Sequence, residues 1–200
     1  MLVLALDTAT PAPALALAGE RFEGESRLPA GGHVSEVLLP ALSRLLERAG
    51  ARLSDVGRIA ALAGPGSFTG IRVGLATAWG IARSHAIPLE TVGSLEALAE
   101  TARGESDLVS ACLPAERGDV YAGTFDLRDV RARAVGGESV VPAAGAASLP
   151  GLLVRDFAGI SAALAAARAV LRSPGAADDV PRARYVRTSA AEEFHGVARP

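Results

Sequence analysis

The stretch from Gly64 to Ser84, GPGSFTGIRVGLATAWGIARS, constrains the fold more than any other part of the chain. Two glycines and a proline stand just before a segment with helical periodicity, so a strand must turn tightly into a helix here. Backbone N–H groups in such a turn can point into one concavity, and the helix N-terminus adds a partial positive charge. The loop therefore predicts either a nucleotide or anion site at Gly64, Gly66 and Ser67, or only a tight turn that Ser67 caps.

The helix predicted over Thr69–Ser84 has two different faces. Small residues recur every four positions on one face, which lets the helix backbone approach a neighbour closely; they are Gly70, Gly74, Ala78 and Ala82. The opposite face carries Arg72, Ala76, Trp79 and Arg83. A tryptophan between arginines is typical of a protein–protein hot spot, and the alternative is a tryptophan covered by another part of the same chain.

A second hint of a partner surface comes from the helix predicted over Val34–Arg48. Its apolar arc is roughly 200° wide, whereas a stripe of about 100° is enough to cover one core. Leu39 and Leu46 extend this arc on one side. We expect the helix to pack both on its own sheet and on a partner protein, with a bend at Pro40.

The chain opens with a short apolar strand, Leu2–Leu6, that stops at Asp7 in the sequence DTAT. An acid at the end of a buried strand can hold a hydrated Mg²⁺ or contribute to a nucleotide site. The alternative is a turn-forming aspartate that bonds the backbone of Ala9. Both interpretations stay open at this point.

The order of elements predicts an α/β chain built from two related halves. In the first half, strands are predicted at Leu2–Leu6, Pro13–Ala18, Arg21–Leu28, Arg58–Ala63 and Leu89–Val92, and a helix to Ala102 capped by Ser94. In the second half, strands are predicted at Leu108–Leu113, Val120–Phe125, Val130–Gly136, Ser139–Val141 and Leu152–Phe157, and a helix at Ile160–Arg172. We therefore expect lobes at residues 1–104 and 105–200, with a loose tail after about residue 188.

Composition excludes several kinds of chemistry. Every basic residue is arginine, so neither a phosphate-loop lysine nor a Schiff base is available. The net charge of −2 gives no general attraction to nucleic acid. The single Cys112 fits a reducing compartment, and with neither a membrane span nor a signal peptide recognised we expect a cytoplasmic protein.

Catalytic and metal-binding patterns are also missing from the sequence. The histidines, His33, His85 and His195, include no pair spaced for a metal on one helix. Cys112 lies in a predicted buried strand, and Ser67 is not in a G-x-S-x-G elbow. The sequence therefore predicts no catalytic residue and no metal site.

Five motifs together resemble the TsaB family of bacterial tRNA threonylcarbamoyladenosine biosynthesis proteins. They are DTAT, HVSEVLLPAL, GPGSFTGIRVGLATAWGIA, GDVY and RYVR. The resemblance implies two duplicated lobes with mixed sheets, in the acetate-kinase/Hsp70/actin-like (ribonuclease-H-like) fold. It departs from the family at Pro114 and Glu116, which replace an acid and an arginine, and at Ala183, which replaces a proline.

The resemblance also implies a function without catalysis by this chain. It would be an activating partner of TsaD, which transfers threonylcarbamoyl to the adenosine beside the anticodon, and would dock through its first two helices on TsaD or on a second copy. TsaE, an ATPase, would act in the larger complex, where ATP or ADP can bind; this chain alone would hold no cofactor and would meet tRNA only indirectly. The paired histidines that bind metal in TsaD-like proteins are absent, because Val37 stands where the second would be. The alternatives are a small-molecule phosphotransferase of the same fold and an M22-like metallopeptidase.

Overall fold

A computed structural model describes residues 1–29, 34–157 and 159–186 of the chain. His33, His195, the last residue of the RYVR motif and the expected tail after residue 188 lie outside these ranges.

The first sheet has five strands in the order β3-β2-β1-β4-β5. They are β1 (Leu2–Asp7), β2 (Ala14–Gly19), β3 (Glu23–Arg27), β4 (Val56–Leu62) and β5 (Leu89–Val92). The first three strands pair antiparallel, and β4 and β5 run parallel to β1. The central strands β1 and β2 are apolar almost throughout and buried on both faces, while the polar β3 lies at an edge.

The second sheet repeats this arrangement in shorter form. Its strands are β6 (Leu108–Pro114), β7 (Asp119–Asp126), β8 (Arg133–Ala134), β9 (Ser139–Pro142) and β10 (Leu152–Val154). In both sheets a long antiparallel hairpin comes first, and a later strand pairs parallel to the hairpin's first strand. The two-lobed α/β class with mixed sheets is thereby confirmed. The strands expected at 130–136 and 152–157 are shorter than predicted, because β8 has two residues and β10 ends at Val154.

Within the described residues, four α-helices join and cover the sheets: α1 (Val34–Ala49), α2 (Phe68–His85), α3 (Ser94–Glu100) and α4 (Ala162–Arg172). Helices α1 and α2 contact each other and the first sheet, α4 packs on β1 and β2, and α3 lies between α4 and the second sheet. The second half of the chain thus returns to the first sheet through α4, and the division at residue 104 stays a prediction. Across the described ranges, none of the helices has the length and apolarity to cross a membrane.

The prediction for Ser94 is wrong in detail. Gly93 occupies the N-cap position, and Ser94 is the first helical residue, fully buried. Its Oγ has no hydrogen-bond partner in the described part of the chain. The Ser94 N–H instead donates to the carbonyl of Gly64 at 2.7 Å, which ties α3 to the loop before α2. The helix also ends at Glu100, earlier than the expected Ala102.

A buried ionic network joins the two lobes. Glu90 on β5 and Glu96 on α3 both accept hydrogen bonds from the guanidinium of Arg131, which follows β7; the Arg131 Nη2 to Glu96 Oε1 distance is 2.8 Å. Glu90 is 5% exposed, so its charge depends on protein partners rather than on water. The network therefore fixes the second lobe against β5 and α3.

A third carboxylate, that of Glu100 at the end of α3, extends the same network. It accepts from the Arg103 guanidinium at 2.7 and 2.8 Å, from Arg172 at 2.6 Å and from the N–H of Ala132 at 2.7 Å. Burial alone would raise the pKa of Glu100. The hydrogen bonds from Arg103 and Ala132, with the charges of Arg172 and Arg103, outweigh burial and hold this pKa below its usual value.

Replacing Arg131 with methionine should destabilise the fold by about 3 kcal/mol, because Glu90 and Glu96 would lose their shared cation while remaining largely buried. Arg133→Met is the matched control, since the Arg133 side chain is 68% exposed and its distance to Asp126 is 3.5 Å. We expect that control to cost under about 1 kcal/mol. Urea unfolding of both variants measures the difference, and equal midpoints would contradict the structural role of the network.

Candidate functional site

The β1–β2 turn holds the side chain of Asp7 completely away from solvent. Asp7 Oδ1 accepts hydrogen bonds from the N–H groups of Ala9 at 2.9 Å and Thr10 at 3.0 Å, and Oδ2 accepts from the Thr10 hydroxyl. This is the turn-forming alternative for Asp7. With no accessible surface, the carboxylate offers no contact to a nucleotide or metal in this conformation.

Burial raises the pKa of Asp7 from 3.8 to about 6, although the hydrogen bonds from Thr10 and Ala9 act in the opposite direction. Desolvation prevails because a charged carboxylate loses its hydration shell here, and no cation of the described residues compensates for that loss. The group is therefore close to half protonated near pH 6.

The GPGSFTG loop and the first turns of α2 close over the β1–β2 turn. The Thr8 hydroxyl donates to the Gly70 carbonyl at 2.6 Å. A Cβ at Gly70 would lie 1.9 Å from the Thr8 carbonyl oxygen, and one at Gly74 would lie 2.3 Å from Thr8 Oγ1. The small-residue face of α2 thus serves a contact within the chain, between its backbone and the DTAT turn.

The concavity predicted to hold an anion is filled by this turn. The Ser67 N–H donates to the Ala9 carbonyl at 2.8 Å, and a Cβ at Gly66 would lie 2.2 Å from the same oxygen. Ser67 Oγ accepts from the Gly70 N–H at 3.2 Å, so the helix-capping alternative holds for Ser67. Of the four residues proposed for a nucleotide or anion, Ser67 is exposed, Gly66 is half-buried, and Asp7 and Gly64 are buried. The structure brings the four together but places a protein carbonyl where the anion was expected.

The outward face of α2 carries the four residues predicted for a partner. Arg72, Ala76, Trp79 and Arg83 are all exposed. Trp79 is 40% exposed, and its indole N–H donates to the Asp179 carbonyl at 3.1 Å. The ring is thus partly covered by the chain itself, at its N–H edge, and partly exposed as an interface residue would be. Both interpretations of Trp79 therefore hold in part.

Phe68 belongs to the same face and was missed from sequence. The Arg72 guanidinium lies 3.4 Å from the centroid of the Phe68 ring, which is 38% exposed. Tyr185 packs on the same ring with a centroid distance of 5.3 Å. Phe68 precedes Arg72 by four residues, so extending the helical period back by one turn would have found it.

The prediction for α1 needs correction at Leu46. Leu46 is 8% exposed and belongs to the core, whereas Leu39 is 55% exposed. The wide apolar arc is taken up mainly by the chain's own sheet, since its other apolar positions pack inward; the buried ones are Leu38, Ala41, Leu42 and Leu45. Leu39 and Pro40 are exposed, and Val34 and Val37 are half-buried.

Residues 174–186, here called the C-terminal strap, run along β5 and return to the start of α2. The Asp178 N–H donates to the Leu89 carbonyl, and the Thr91 N–H donates to Asp178 Oδ2, both at 2.7 Å. The Arg184 N–H donates to the Ala63 carbonyl at 2.7 Å. An open groove of about 610 Å³ separates the strap from the end of α2, lined by Trp79, Arg83, Ile87, Pro88, Asp178 and Asp179 among others. The sequence analysis gave no indication of this pairing.

The β6–β7 turn is the second-lobe counterpart of the DTAT turn. The Ala115 N–H donates to the Asp119 carbonyl at 2.9 Å, and Arg117 and Gly118 have φ of 61° and 79°. Pro114 pairs with Val120 at the end of this hairpin. The side chain of Glu116 lies outside what the structure describes.

Other chemically reactive groups do not assemble into a site in the described ranges. Cys112 is 1% exposed, and burial raises the pKa of its thiol. Within residues 1–29, 34–157 and 159–186, no three His, Cys, Asp or Glu side chains lie together as metal ligands.

Gly70→Ala should destabilise the fold by at least about 2 kcal/mol, because the new Cβ would overlap the rigid Thr8 carbonyl. Gly80→Ala on the same helix is the control, since a Cβ there meets nothing within 4 Å. That change should stabilise the chain by up to about 1 kcal/mol. Chemical unfolding of both variants tests the contact, and two changes of the same sign would contradict it.

Asp7→Asn should change how stability depends on pH. The pKa of Asp7 is higher in the folded chain than in the unfolded chain. The folded wild type therefore has its full stability below about pH 4, and it loses stability as the pH rises through about 6. Asparagine keeps an acceptor but does not titrate, so the variant should gain on the wild type by on the order of 2 kcal/mol between pH 4 and 7. Parallel stability curves for the two proteins over this range would show that Asp7 has an ordinary pKa.

Comparison with known proteins agrees with this architecture. A family model described as "TsaD: tRNA N6-adenosine threonylcarbamoyltransferase" matches residues 29–159, more than half of the chain. The Bacillus subtilis protein named tRNA threonylcarbamoyladenosine biosynthesis protein TsaB is 37% identical over 91 residues, covering 46% of this chain and 40% of that protein. The Escherichia coli protein of the same name is 34% identical over 124 residues, covering 60% and 53%. The chain thus spans about half the length of the curated relatives it matches.

Two solved structures are also similar. YeaZ from Pseudomonas aeruginosa superposes with a TM-score of 0.65 at 35% identity, covering 70% of this chain and 67% of that one. A crystal structure described as an uncharacterized protein with similarity to peptidase YeaZ from Pseudomonas aeruginosa gives a TM-score of 0.78 at 27% identity, covering 93% and 99%. The resemblance to TsaB that the motifs indicated is confirmed, and the chain belongs to the TsaD-type tRNA N6-adenosine threonylcarbamoyltransferase family.

Proposed function

We propose that this chain is a non-catalytic partner subunit in the biosynthesis of tRNA threonylcarbamoyladenosine, and that it activates a TsaD homologue by docking through the outer faces of α1 and α2. The names of the curated relatives support the tRNA-modification role. The observation that carries the docking role is the stripe of exposed aromatic and arginine side chains on α2.

The composition of this stripe favours a protein partner. Phe68, Arg72, Trp79 and Arg83 follow one another along a single face of α2. Aromatic residues and arginine are the side chains that most often dominate binding energy at protein interfaces. Leu39, 55% exposed on the neighbouring α1, extends the same surface with an apolar side chain. A partner that covered this surface would bury the rings of Phe68 and Trp79, which are already exposed in the described conformation.

The non-catalytic part of the proposal is supported by how the candidate chemical groups are used. Asp7 is fully buried in its turn, and Ser67 caps α2. Cys112 is part of β6 and is buried in a small apolar cluster. Each of these side chains has a structural task in the described conformation. Val37 stands where TsaD-like proteins place the second histidine of their metal-binding pair.

The rest of the proposed assembly follows from the family resemblance. The chain alone would bind no cofactor, ATP or ADP would bind in the complex that includes TsaE, and tRNA would be contacted through the partner. The complex would act in the cytoplasm, and the isolated chain could pair with a second copy through the same two helices. A phosphotransferase or a peptidase of this fold remains the alternative, and ATP turnover or peptide cleavage by the isolated chain would support it.

Association with the cognate TsaD homologue tests the proposal directly. The two purified chains should form a complex, and reconstituted tRNA modification should fall when this chain is left out. Trp79→Ala should weaken the complex by about 2 kcal/mol, because a hot-spot ring is lost from the centre of the α2 face. Titration calorimetry measures the affinity.

Val135→Ala is the control for that variant, since Val135 is an exposed apolar residue of the second lobe, 48% accessible. It should leave the affinity unchanged. Modification that proceeds equally well without this chain would refute the proposed role. A loss of monomer stability in Trp79→Ala as large as the loss of affinity would place Trp79 in the core instead.

A further inference from the structure

The C-terminal strap is attached to the first lobe more firmly than a trailing segment would be. It pairs with β5 through Asp178 and with β4's end through Arg184, as described above. At its start, the Gly175 N–H donates to Glu90 Oε2 at 2.8 Å, and the Gly175 carbonyl accepts from Arg58 at 3.0 Å. These contacts hold the strap at Gly175, Asp178 and Arg184, and the last two are directly followed by the residues that touch α2, Asp179 and Tyr185. The position of the strap beside α2 is therefore fixed by the sheet.

The strap completes the α2 face at two points. The Asp179 carbonyl accepts the indole N–H of Trp79, and Tyr185 packs on Phe68. The first contact matters for docking, because the exposed part of the Trp79 ring then carries no unsatisfied donor. A partner can cover that ring without leaving an N–H unpaired, which would weaken binding. The contact also holds the ring in one place before the partner arrives.

The charge on this face indicates what kind of surface would bind it. Helix α2 contains Arg72, Arg83 and His85 and no acidic residue. In the described part of the chain, Asp179 pairs with one of these arginines: its carboxylate lies 3.9 Å from Arg83, and the two side chains are 94% and 69% exposed. Such an exposed pair is weak and can be replaced by a carboxylate of a partner. The complementary surface is thus apolar at its centre and acidic at its rim.

We infer that the C-terminal strap is a working part of the docking surface. By pairing with β5 and accepting the Trp79 N–H, it positions the ring for a surface of the TsaD-type partner that is apolar at its centre and acidic at its rim. This inference rests on the proposed function, since it takes the partner from it. It adds that the docking surface is composite, formed by α2 and by residues about a hundred positions later in the chain. Asp178 acts as a positioning residue, because its carboxylate anchors the strap and reaches Trp79 only through the neighbouring peptide unit.

Asp178→Ala tests this inference with two independent measurements. It removes the acceptor for the Thr91 N–H and should loosen the strap. Trp79 is the only tryptophan, so its fluorescence reports on the strap directly. We expect a red-shifted emission and stronger quenching by acrylamide in the isolated variant. We also expect affinity for the TsaD homologue to fall about tenfold, the equivalent of one lost hydrogen bond.

Two further variants make the result specific. Asp178→Asn keeps an oxygen acceptor at the same place and should restore both the fluorescence and the affinity. Asp129→Ala removes an exposed aspartate of the second lobe and should change neither. Circular dichroism and urea unfolding on each variant identify any that fails to fold, and Asp178→Asn then decides the outcome through its own affinity.

Each other outcome overturns the inference in a distinguishable way. If Asp178→Ala exposes Trp79 and still binds the partner like the wild type, the strap is not part of the docking surface and the proposed function stands. If the variant binds more tightly, the strap competes with the partner. If it alters only self-association, the surface serves a second copy of this chain. If the wild type itself does not bind the TsaD homologue, the proposed function fails first and the inference fails with it.

Discussion

The contact between the Thr8 turn and the glycine face of α2 is the interaction on which the rest of the first lobe depends. Thr8 can lie against α2 only because Gly70 and Gly74 have no side chains, and its hydroxyl then bonds the Gly70 carbonyl. This contact joins the first strand–strand turn to the start of the longest helix. It therefore sets where α2 lies on the sheet, and so which of its residues face outward.

The same contact explains why two motifs that look like parts of a ligand site are found together. A glycine-rich turn before a helix can hold an anion on its N–H groups, and here the Ala9 carbonyl accepts from the Ser67 N–H instead. An oxygen of the protein thus satisfies the N–H group that the loop presents. In this conformation the motif therefore serves packing within the chain.

Much of the architecture could be predicted from sequence because it follows from local pattern. The periodicity of apolar residues predicts the order of strands and helices and the repeated hairpins. The spacing of Gly70, Gly74 and Trp79 predicts the two faces of α2. What failed depends on contacts between distant residues. Leu46 could not be assigned to the core without knowing how far its own sheet extends, and the bond from the Ser94 N–H to Gly64 joins residues that are far apart in sequence.

For the candidate site, too, local pattern could be predicted and contacts between distant residues could not. Residue type and helical spacing placed Arg72, Ala76, Trp79 and Arg83 together, but they could not show that Asp7 is sealed from solvent. The strap could not be predicted from sequence, because its pairing with β5 joins one backbone N–H and one aspartate side chain to a strand nearly ninety positions earlier. The interlobe network was hidden for a similar reason, since Glu90 and Arg131 are brought together only by the packing of two sheets.

The strap has one more consequence, which concerns solubility. The first sheet ends at β5 on one side and at β3 on the other. Strand β3 carries alternating charges, Glu23, Glu25 and Arg27, which discourage pairing with another chain. Strand β5 has a single charge, Glu90, and it is turned into the protein. Its backbone is shielded by the strap instead, so a form of the chain clipped before residue 174 would present an open strand edge, the kind of template from which ordered aggregates grow.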